Sequence, residues 1–251
     1  MEAVKRVFWD KAMTECIVSL TSHGERLYQC ARTIYSIVRN TVKSKIVVTI
    51  YKGDMPYYKQ AKDLQVLVDN EVVELIVADL DLGPHLKYFY AMQKYKDSVV
   101  ITVDDDIIYD KKMVESLLRI HKANPTAVIA NRCHRINTFN YKYWDKSIRK
   151  IGWSHYNFGT GVGGILYPPG CFNLSMDMVS EINRVKYADD IYLKILELRN
   201  DIMVYNACNL KYAAMRDKGI EATALYHSNL QQNRNNEYID RFRKDFEGLL
   251  H

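Results

Sequence analysis

The chain has 251 residues, with 35 lysines and arginines against 30 aspartates and glutamates, for a formal charge of +5. That length fits one large domain, an apolar content of 48% excludes a disordered chain, and so mild a charge gives no reason to expect a nucleic-acid partner. Apolar runs are strand-sized, too short to span a bilayer; residues 1–15 carry no apolar signal core; and five scattered cysteines without a C-x-x-C pair suit a reducing, cytoplasmic setting.

Taken in chain order, residues 16–20 (CIVSL) predict a short buried strand. Residues 26–38 follow with Leu27, Cys30, Ile34 and Ile37 at helical spacing. A second strand falls at 45–51 (KIVVTIY), and Pro56 opens a helix to about residue 68. A third strand is expected at 72–78, a helix at 86–95, a fourth strand at 98–103 (SVVITV), an amphipathic helix at 111–123 and a fifth strand at 126–131. The alternation stops after residue 132, where residues 133–172 are rich in aromatics, glycine and proline. Helices return at 173–183 and 189–200, a last strand falls at 202–205, residues 219–236 read as loop and 238–250 as a terminal helix. Strands alternating with helices predict an α/β fold whose mostly parallel sheet is flanked by helices on both faces. Ligands of such sheets bind beyond the carboxyl ends of the strands. No linker interrupts the chain, so residues 1–251 read as one domain.

Asp104, Asp105 and Asp106 directly follow the apolar run at 99–103. Three adjacent carboxylates repel one another unless something neutralises them. A hard divalent cation does so through oxygen ligands, and such a metal can bridge protein carboxylates and a diphosphate. The plainer reading is a solvated acidic loop capping the next helix.

The run VVITVDDDII resembles the strand and D-x-D motif of GT-A fold glycosyltransferases of the bacterial, family 2-like type. Other stretches agree in order: CIVSLTSHGERL resembles the first strand and nucleotide-binding loop, DLGPHLKYFYAM a G-P-x-x-K segment, TGVGGILYPPG the glycine-rich acceptor-side loop, and ADDIYLKIL the acidic helix start that supplies a base. Together they cover roughly residues 15–230. The resemblance implies a GT-A, Rossmann-like fold, with a nucleotide-sugar half over about 15–132 and an acceptor half with a C-terminal lid and helix over about 133–251. It implies a Mn2+ or Mg2+ ion held by Asp106, with Asp104 at the metal or the ribose and Asp105 assisting either. Thr21, Arg26 and Lys87 would hold the donor. Asp190 would be the general base, with Asp189 positioning it, and His227 a third metal ligand. Gly163 and Gly164 would lie on the acceptor side.

Each role has a structural alternative. Arg26 can be a surface charge, although a helix's first turn disfavours a cation. Lys87 can be a helix lysine whose stem snorkels to water. Asp189 and Asp190 can cap the helix that they open. His227 is one of seven histidines. Asn229, Asn233 and Asn236 make the segment around it polar enough to close over a donor. The run from Gly159 to Gly164 formally matches G-x-G-x-x-G, but it leads into ILYPPG, whose prolines exclude the helix that a dinucleotide fingerprint must open. Its glycines serve close backbone approach to a sugar instead.

Residues 141–153 are basic and aromatic, ending on Trp153 and followed by Tyr156. With 19 tyrosines against 7 phenylalanines, the chain favours rings with a polar tip. Trp153 and Tyr156 are the expected acceptor contacts; contact with a lipid diphosphate or membrane surface, or a plain solvated insertion, fits the same composition. The resulting expectation is a metal-dependent glycosyltransferase, inverting as the resemblance implies, that moves a sugar from a UDP-sugar to a glycan or lipid-linked glycan of a capsule, lipopolysaccharide or similar surface polymer, acting in the cytoplasm or at the membrane's inner face. Two rivals are a sugar-nucleotide nucleotidyltransferase, disfavoured by the single glycine of SLTSHGER, and a non-catalytic carbohydrate-binding relative, disfavoured by the intact acidic pairs.

Overall fold

The computed structural model describes residues 16–215 and 234–250. Its centre is an eight-stranded sheet in the order β3-β2-β1-β4-β10-β6-β11-β8. The strands are β1 (Cys16–Thr21), β2 (Lys45–Tyr51), β3 (Val73–Ala78), β4 (Val99–Thr102), β6 (Val128–Ala130), β8 (Gly152–Ser154), β10 (Ile165–Tyr167) and β11 (Val204–Asn206). The β3-β2-β1-β4 block is parallel, and so is the β6–β11 pair. β10 runs antiparallel between β4 and β6, and β8 closes one edge antiparallel to β11. Two small pairs flank the sheet: β5 (Ile107–Tyr109) with β12 (Tyr212–Ala214), and β7 (Cys133–Arg135) with β9 (Asn157–Gly159).

Both faces of the sheet are covered, which is why its main strands read as unbroken apolar runs. Alternate residues enter different cores, following the two-residue period of a strand. Val18, Leu20, Val48 and Ile101 pack with α1 (Cys30–Val38), α3 (Lys62–Asp69) and α5 (Met113–Ala123). Ile17, Val47, Val100 and Tyr167 pack with α4 (Phe89–Lys94), α6 (Val179–Asn183), α7 (Asp189–Arg199), α8 (Arg234–Arg241) and α9 (Arg243–Glu247).

Several helices expected as continuous are broken. The 26–38 helix is a 3-10 turn over Gly24–Tyr28 followed by α1. The 56–68 helix splits into α2 (Met55–Tyr58) and α3, and Gln65 Nε2 donates to the Tyr58 carbonyl across the break at 2.8 Å. The 86–95 helix starts as a 3-10 turn over Gly83–Lys87. The terminal helix is α8 and α9, separated at Phe242, whose ring is buried. In the first and third cases the tighter turn carries a charged side chain, Arg26 or Lys87, toward the carboxyl ends of the parallel strands.

Candidate active site

Because β1 and β4 are adjacent and parallel, the loops that follow them meet at one edge. The β4–β5 loop carries the three aspartates, and they do not share one environment. Asp105 is buried; it accepts from Ser22 Oγ at 2.6 Å and from Arg26 Nε at 3.1 Å, and Arg26 NH2 also pairs with it. Its carbonyl and that of Ile107 both face the buried Thr33 hydroxyl, at 2.8 and 2.9 Å. Asp104 and Asp106 retain 31% and 25% side-chain exposure and are the two that open to solvent. Asp106 also lies 3.2 Å from Arg26. Burial, reinforced by the charges of Asp104 and Asp105, pushes the Asp106 carboxyl upward despite that pair. Burial works against the Arg26 charge, but Asp105 and Asp106 outweigh it and hold the guanidinium protonated. The Asp104 N–H donates to the buried Tyr109 hydroxyl at 3.0 Å, which fixes the start of the loop.

Lys87 links this loop to α7. Its Nζ lies 2.9 Å from Asp104 and 2.6 Å from Asp189. The side chain is only 7% exposed, so it does not snorkel. Burial disfavours its charge, and the carboxylates of Asp104, Asp189 and Asp190 more than restore it. Neither Asp189 nor Asp190 caps α7: the N-cap is Ala188, with no side-chain cap bond. Asp189 is spent on Lys87, whose charge offsets burial and holds that carboxyl below its ordinary range. Asp190, half-buried, accepts the Gly161 N–H at 3.1 and 3.2 Å through its two oxygens. Burial first, then the Asp189 and Asp104 charges, push the Asp190 carboxyl up to about 7.

Gly161 is where these groups converge. A Cβ there would lie 2.7 Å from Lys87 Nζ, 3.0 Å from an Asp104 oxygen and 3.3 Å from an Asp190 oxygen. The glycine run forms a 3-10 turn over Gly161–Gly163 and then β10, so it opens no helix. Gly163 is gripped by Asn131, whose Nδ2 donates to its carbonyl at 2.9 Å, and Gly164 turns the chain into β10 at φ 82°.

The other expected residues have different partners. Thr21 ends β1 with its hydroxyl donating to the Thr49 carbonyl at 2.7 Å. Tyr156 lies under the Arg135 guanidinium, 4.9 Å from the ring centroid. Trp153 sits on the edge strand β8, four strand positions from β4. His227, Asn229 and Asn233 lie outside the described residues, as does most of the expected lid; Asn236 accepts the Tyr141 N–H at 2.7 Å on α8. Sequence reading missed Ser22, Thr33, Tyr109 and the Gly161 N–H. Only Gly161 carries a signal in the sequence, because its glycine run suits close backbone approach.

The donor set suits a hard divalent cation. Asp104 and Asp106 offer oxygen ligands on the open side, and the raised Asp106 carboxyl marks anionic charge left undercompensated. Among the described residues no three His, Cys, Asp or Glu side chains cluster closely enough to hold a metal by themselves. Mg2+-type ions are commonly held by one or two carboxylates plus substrate phosphates, and that is the arrangement these residues fit.

No protein-family model matches the chain, and no curated protein matches its sequence. Solved structures do match its fold. The crystal structure of GalNAc-T7 with UDP, GalNAc and Mn2+ aligns with a TM-score of 0.60 at 11% identity, over 82% of this chain and 44% of that one. The mannosyltransferase PcManGT from Pyrobaculum calidifontis, in complex with GDP-Man and Mn2+, aligns with a TM-score of 0.56 at 10% identity, over 83% and 59%. S. aureus TarS 1-349 with UDP-GlcNAc gives 0.53 at 10% identity, over 82% and 59%. The chain thus has the GT-A, Rossmann-like fold, with a mostly parallel central sheet flanked by helices. It spans about half the length of these three solved structures, 44–59%.

Proposed function

We propose that the chain is a metal-dependent glycosyltransferase that takes its sugar from a nucleotide-diphosphate donor, a UDP-sugar in the first instance. The observation that carries this reading is the meeting of Lys87, Asp104 and Asp190 around Gly161 at the carboxyl edge of the sheet. The fold neighbours lend support: one was solved with UDP and Mn2+, another with GDP-Man and Mn2+.

Asp104 and Asp106 would hold Mn2+ or Mg2+, which supplies charge neutralisation to a departing diphosphate. Arg26 and Lys87 are cations already present at that edge and suited to phosphate oxygens. Thr21 and Asp105 complete the donor side, Asp105 by holding Arg26 in place. Asp190 serves as the base, because a carboxylate with its proton affinity raised toward neutrality accepts a proton more readily than an ordinary one. The acceptor hydroxyl oxygen attacks the anomeric carbon, its proton passes to Asp190, and the bond to the diphosphate breaks with the electron pair leaving on the diphosphate. One displacement inverts the anomeric centre. Asp189 and Lys87 position Asp190, while His227 is retained as a metal-ligand candidate.

The proposed acceptor is a glycan or lipid-linked glycan of a bacterial-type surface polymer, met through Gly163, Gly164, Tyr156 and Trp153. The whole of residues 1–251 is read as one domain acting in the cytoplasm, with peripheral contact at the membrane's inner face. No helix among the described residues is long and apolar enough to cross a membrane.

The test is calorimetric titration of UDP and GDP with and without Mn2+, followed by product analysis with UDP-sugars. Metal-dependent UDP binding and inverted product are expected. UDP binding indifferent to metal would remove the donor assignment, and a retained anomeric configuration would remove Asp190 as the base of a single displacement.

A further inference from the structure

Besides Trp153, already proposed as an acceptor contact, the β8 edge carries groups to which the transfer chemistry gives no role. Trp153 and Ile151 are 60% and 61% exposed and, together with Tyr143, are the most exposed large apolar side chains among the described residues. Trp153 is the register partner of Tyr205 on β11, with ring centroids 6.3 Å apart, so both rings are on one face of the sheet. Ile151 directly precedes β8, and Met203, itself 38% exposed, directly precedes β11. Exposed apolar side chains therefore lie along the sheet edge.

Basic groups border it. Over residues 141–154 there are four, Lys142, Lys146, Arg149 and Lys150, against the single acid Asp145. Lys146 is engaged by the Tyr141 carbonyl and ring. Arg149 and Lys150 are exposed and meet no carboxylate or ring among the described residues. Asp201, on the turn before β11, faces His155 at 3.3 Å and leaves them uncompensated.

This strap is built to stay where it is. The buried Asn206 side chain donates to the carbonyls of Ile148 and Lys150, at 2.9 and 2.8 Å. The buried Asn157 side chain donates to the carbonyls of Gly152 and Val204, both at 2.9 Å. Two core amides thus pin the backbone from below while its apolar and basic side chains point into water. Fixing the backbone removes much of the ordering cost of docking.

The geometry points to an anionic lipid surface as the occupant of this edge, with Ile151 and Trp153 entering the headgroup boundary and Arg149 and Lys150 meeting lipid phosphates. Charge complementarity selects that partner: a neutral glycan accounts for the tryptophan but not for two cations that meet no carboxylate among the described residues, beside an exposed isoleucine. Tryptophan is favoured at such boundaries, and basic residues are drawn to the negative cytoplasmic leaflet. Strands lie about 4.8 Å apart, so four positions place Trp153 roughly 19 Å laterally from β4. The edge can rest on lipid while the cleft beyond β4 remains open. The inference rests on the proposed membrane-side action and gives it a definite contact surface.

The experiment is co-sedimentation of the full chain with phosphatidylcholine vesicles, with and without phosphatidylglycerol, at low and high salt, alongside UDP titration of the same samples. Binding is expected only to the phosphatidylglycerol vesicles, with loss at high salt and a blue shift in tryptophan emission that Trp153→Phe removes. Arg149→Glu with Lys150→Glu should weaken vesicle binding about tenfold or more, and Ile151→Ser should weaken it severalfold, both with UDP binding unchanged. Absence of wild-type binding to phosphatidylglycerol vesicles, or binding untouched in both variants, overturns the inference. So does a lipid-free dimer, detected by sedimentation velocity, that Ile151→Ser dissociates, because the edge then pairs with a second copy. Vesicle binding without UDP binding would leave this surface standing and sink the donor assignment instead.

Discussion

The Lys87 ammonium lies 2.6 Å from the Asp189 carboxylate, with 7% and 12% of the two side chains exposed. The same nitrogen also meets Asp104 at 2.9 Å, so one buried cation ties the β4 loop to the start of α7. Removing one partner of a buried pair leaves an uncompensated charge and costs about 3–5 kcal/mol. Lys87→Met should lower unfolding free energy by that order, measured by urea denaturation. Lys87→Met with Asp189→Asn should recover part of the loss. A loss below about 1 kcal/mol in the single variant would show that water already shields the three carboxylates.

The Asp190 carboxyl is pushed up to about 7 by burial and by the Asp189 and Asp104 charges. As the proposed base, Asp190 would work only when deprotonated, so kcat/KM should rise with pH through that region instead of through the ordinary carboxylate range. Asp189→Asn removes a negative neighbour, which lowers the Asp190 proton affinity and moves the limb to more acid pH. Asp190→Asn should lose about 10²-fold or more in transfer while still binding UDP. An acid limb that Asp189→Asn leaves in place would assign the titration to another group.

Only Asp104 and Asp106 face the open side of the acidic loop, because Asp105 is taken by Ser22 and Arg26. Two carboxylates make a weak metal site until phosphate oxygens complete it. Mn2+ affinity, followed by the electron-spin signal of free Mn2+, should therefore tighten about tenfold or more when UDP is added. Asp106→Ala should abolish that gain without changing thermal stability by more than a few degrees. Equal Mn2+ affinity with and without UDP would place the metal elsewhere.

What could be read from the sequence follows from burial. β1, β2 and β4 are covered on both faces, so CIVSL, KIVVTIY and VVITV appear as continuous apolar runs. β8 and β10 are three residues long, and no periodicity survives in three residues; Ile165-Leu166-Tyr167 therefore read as part of a loop. The acidic groups were visible as adjacent aspartates, but their division of labour was not. Asp105 turns inward to Ser22 and Arg26 while Asp104 and Asp106 keep exposure at the turn between β4 and β5, and the partners Ser22, Arg26 and Lys87 come from distant stretches. Backbone donors such as the Gly161 N–H have no residue type to announce them.

Lys194 and Glu197, on α7, are 1% and 3% exposed and 3.2 Å apart. Burial pushes the Glu197 carboxyl up to about 7, with Lys194 pulling the other way. A carboxyl whose folded pKa exceeds its unfolded one binds its proton more tightly when folded, so stability falls as pH rises from the ordinary carboxylate range to about 7. Relative to Glu197→Gln, the wild type should lose on the order of 2 kcal/mol between about pH 5 and about pH 8, measured by denaturant titration. Parallel stability curves for the two proteins would show that Glu197 titrates normally. Lys194→Met with Glu197→Leu should be neutral or stabilising at neutral pH, since apolar replacement of a buried pair removes its desolvation cost.

Gly161 separates the demands of the fold from those of the chemistry. Its backbone is not in the left-handed region, so alanine is conformationally acceptable there. The added methyl would nevertheless lie 2.7 Å from Lys87 Nζ and 3.0 Å from Asp104, forcing the ammonium away from its carboxylates. A displacement near 1 Å at a reacting centre can cost about 10²-fold in rate. Gly161→Ala should therefore fold, with a smaller loss of stability than Lys87→Met because the ammonium is displaced and not removed, yet lose transfer by about 10²-fold. Its acid limb should also shift upward, because a retreating Lys87 no longer lowers the Asp190 proton affinity. Unchanged activity would mean that Lys87 moves freely, and that the charges around Gly161 act through water and not through contact.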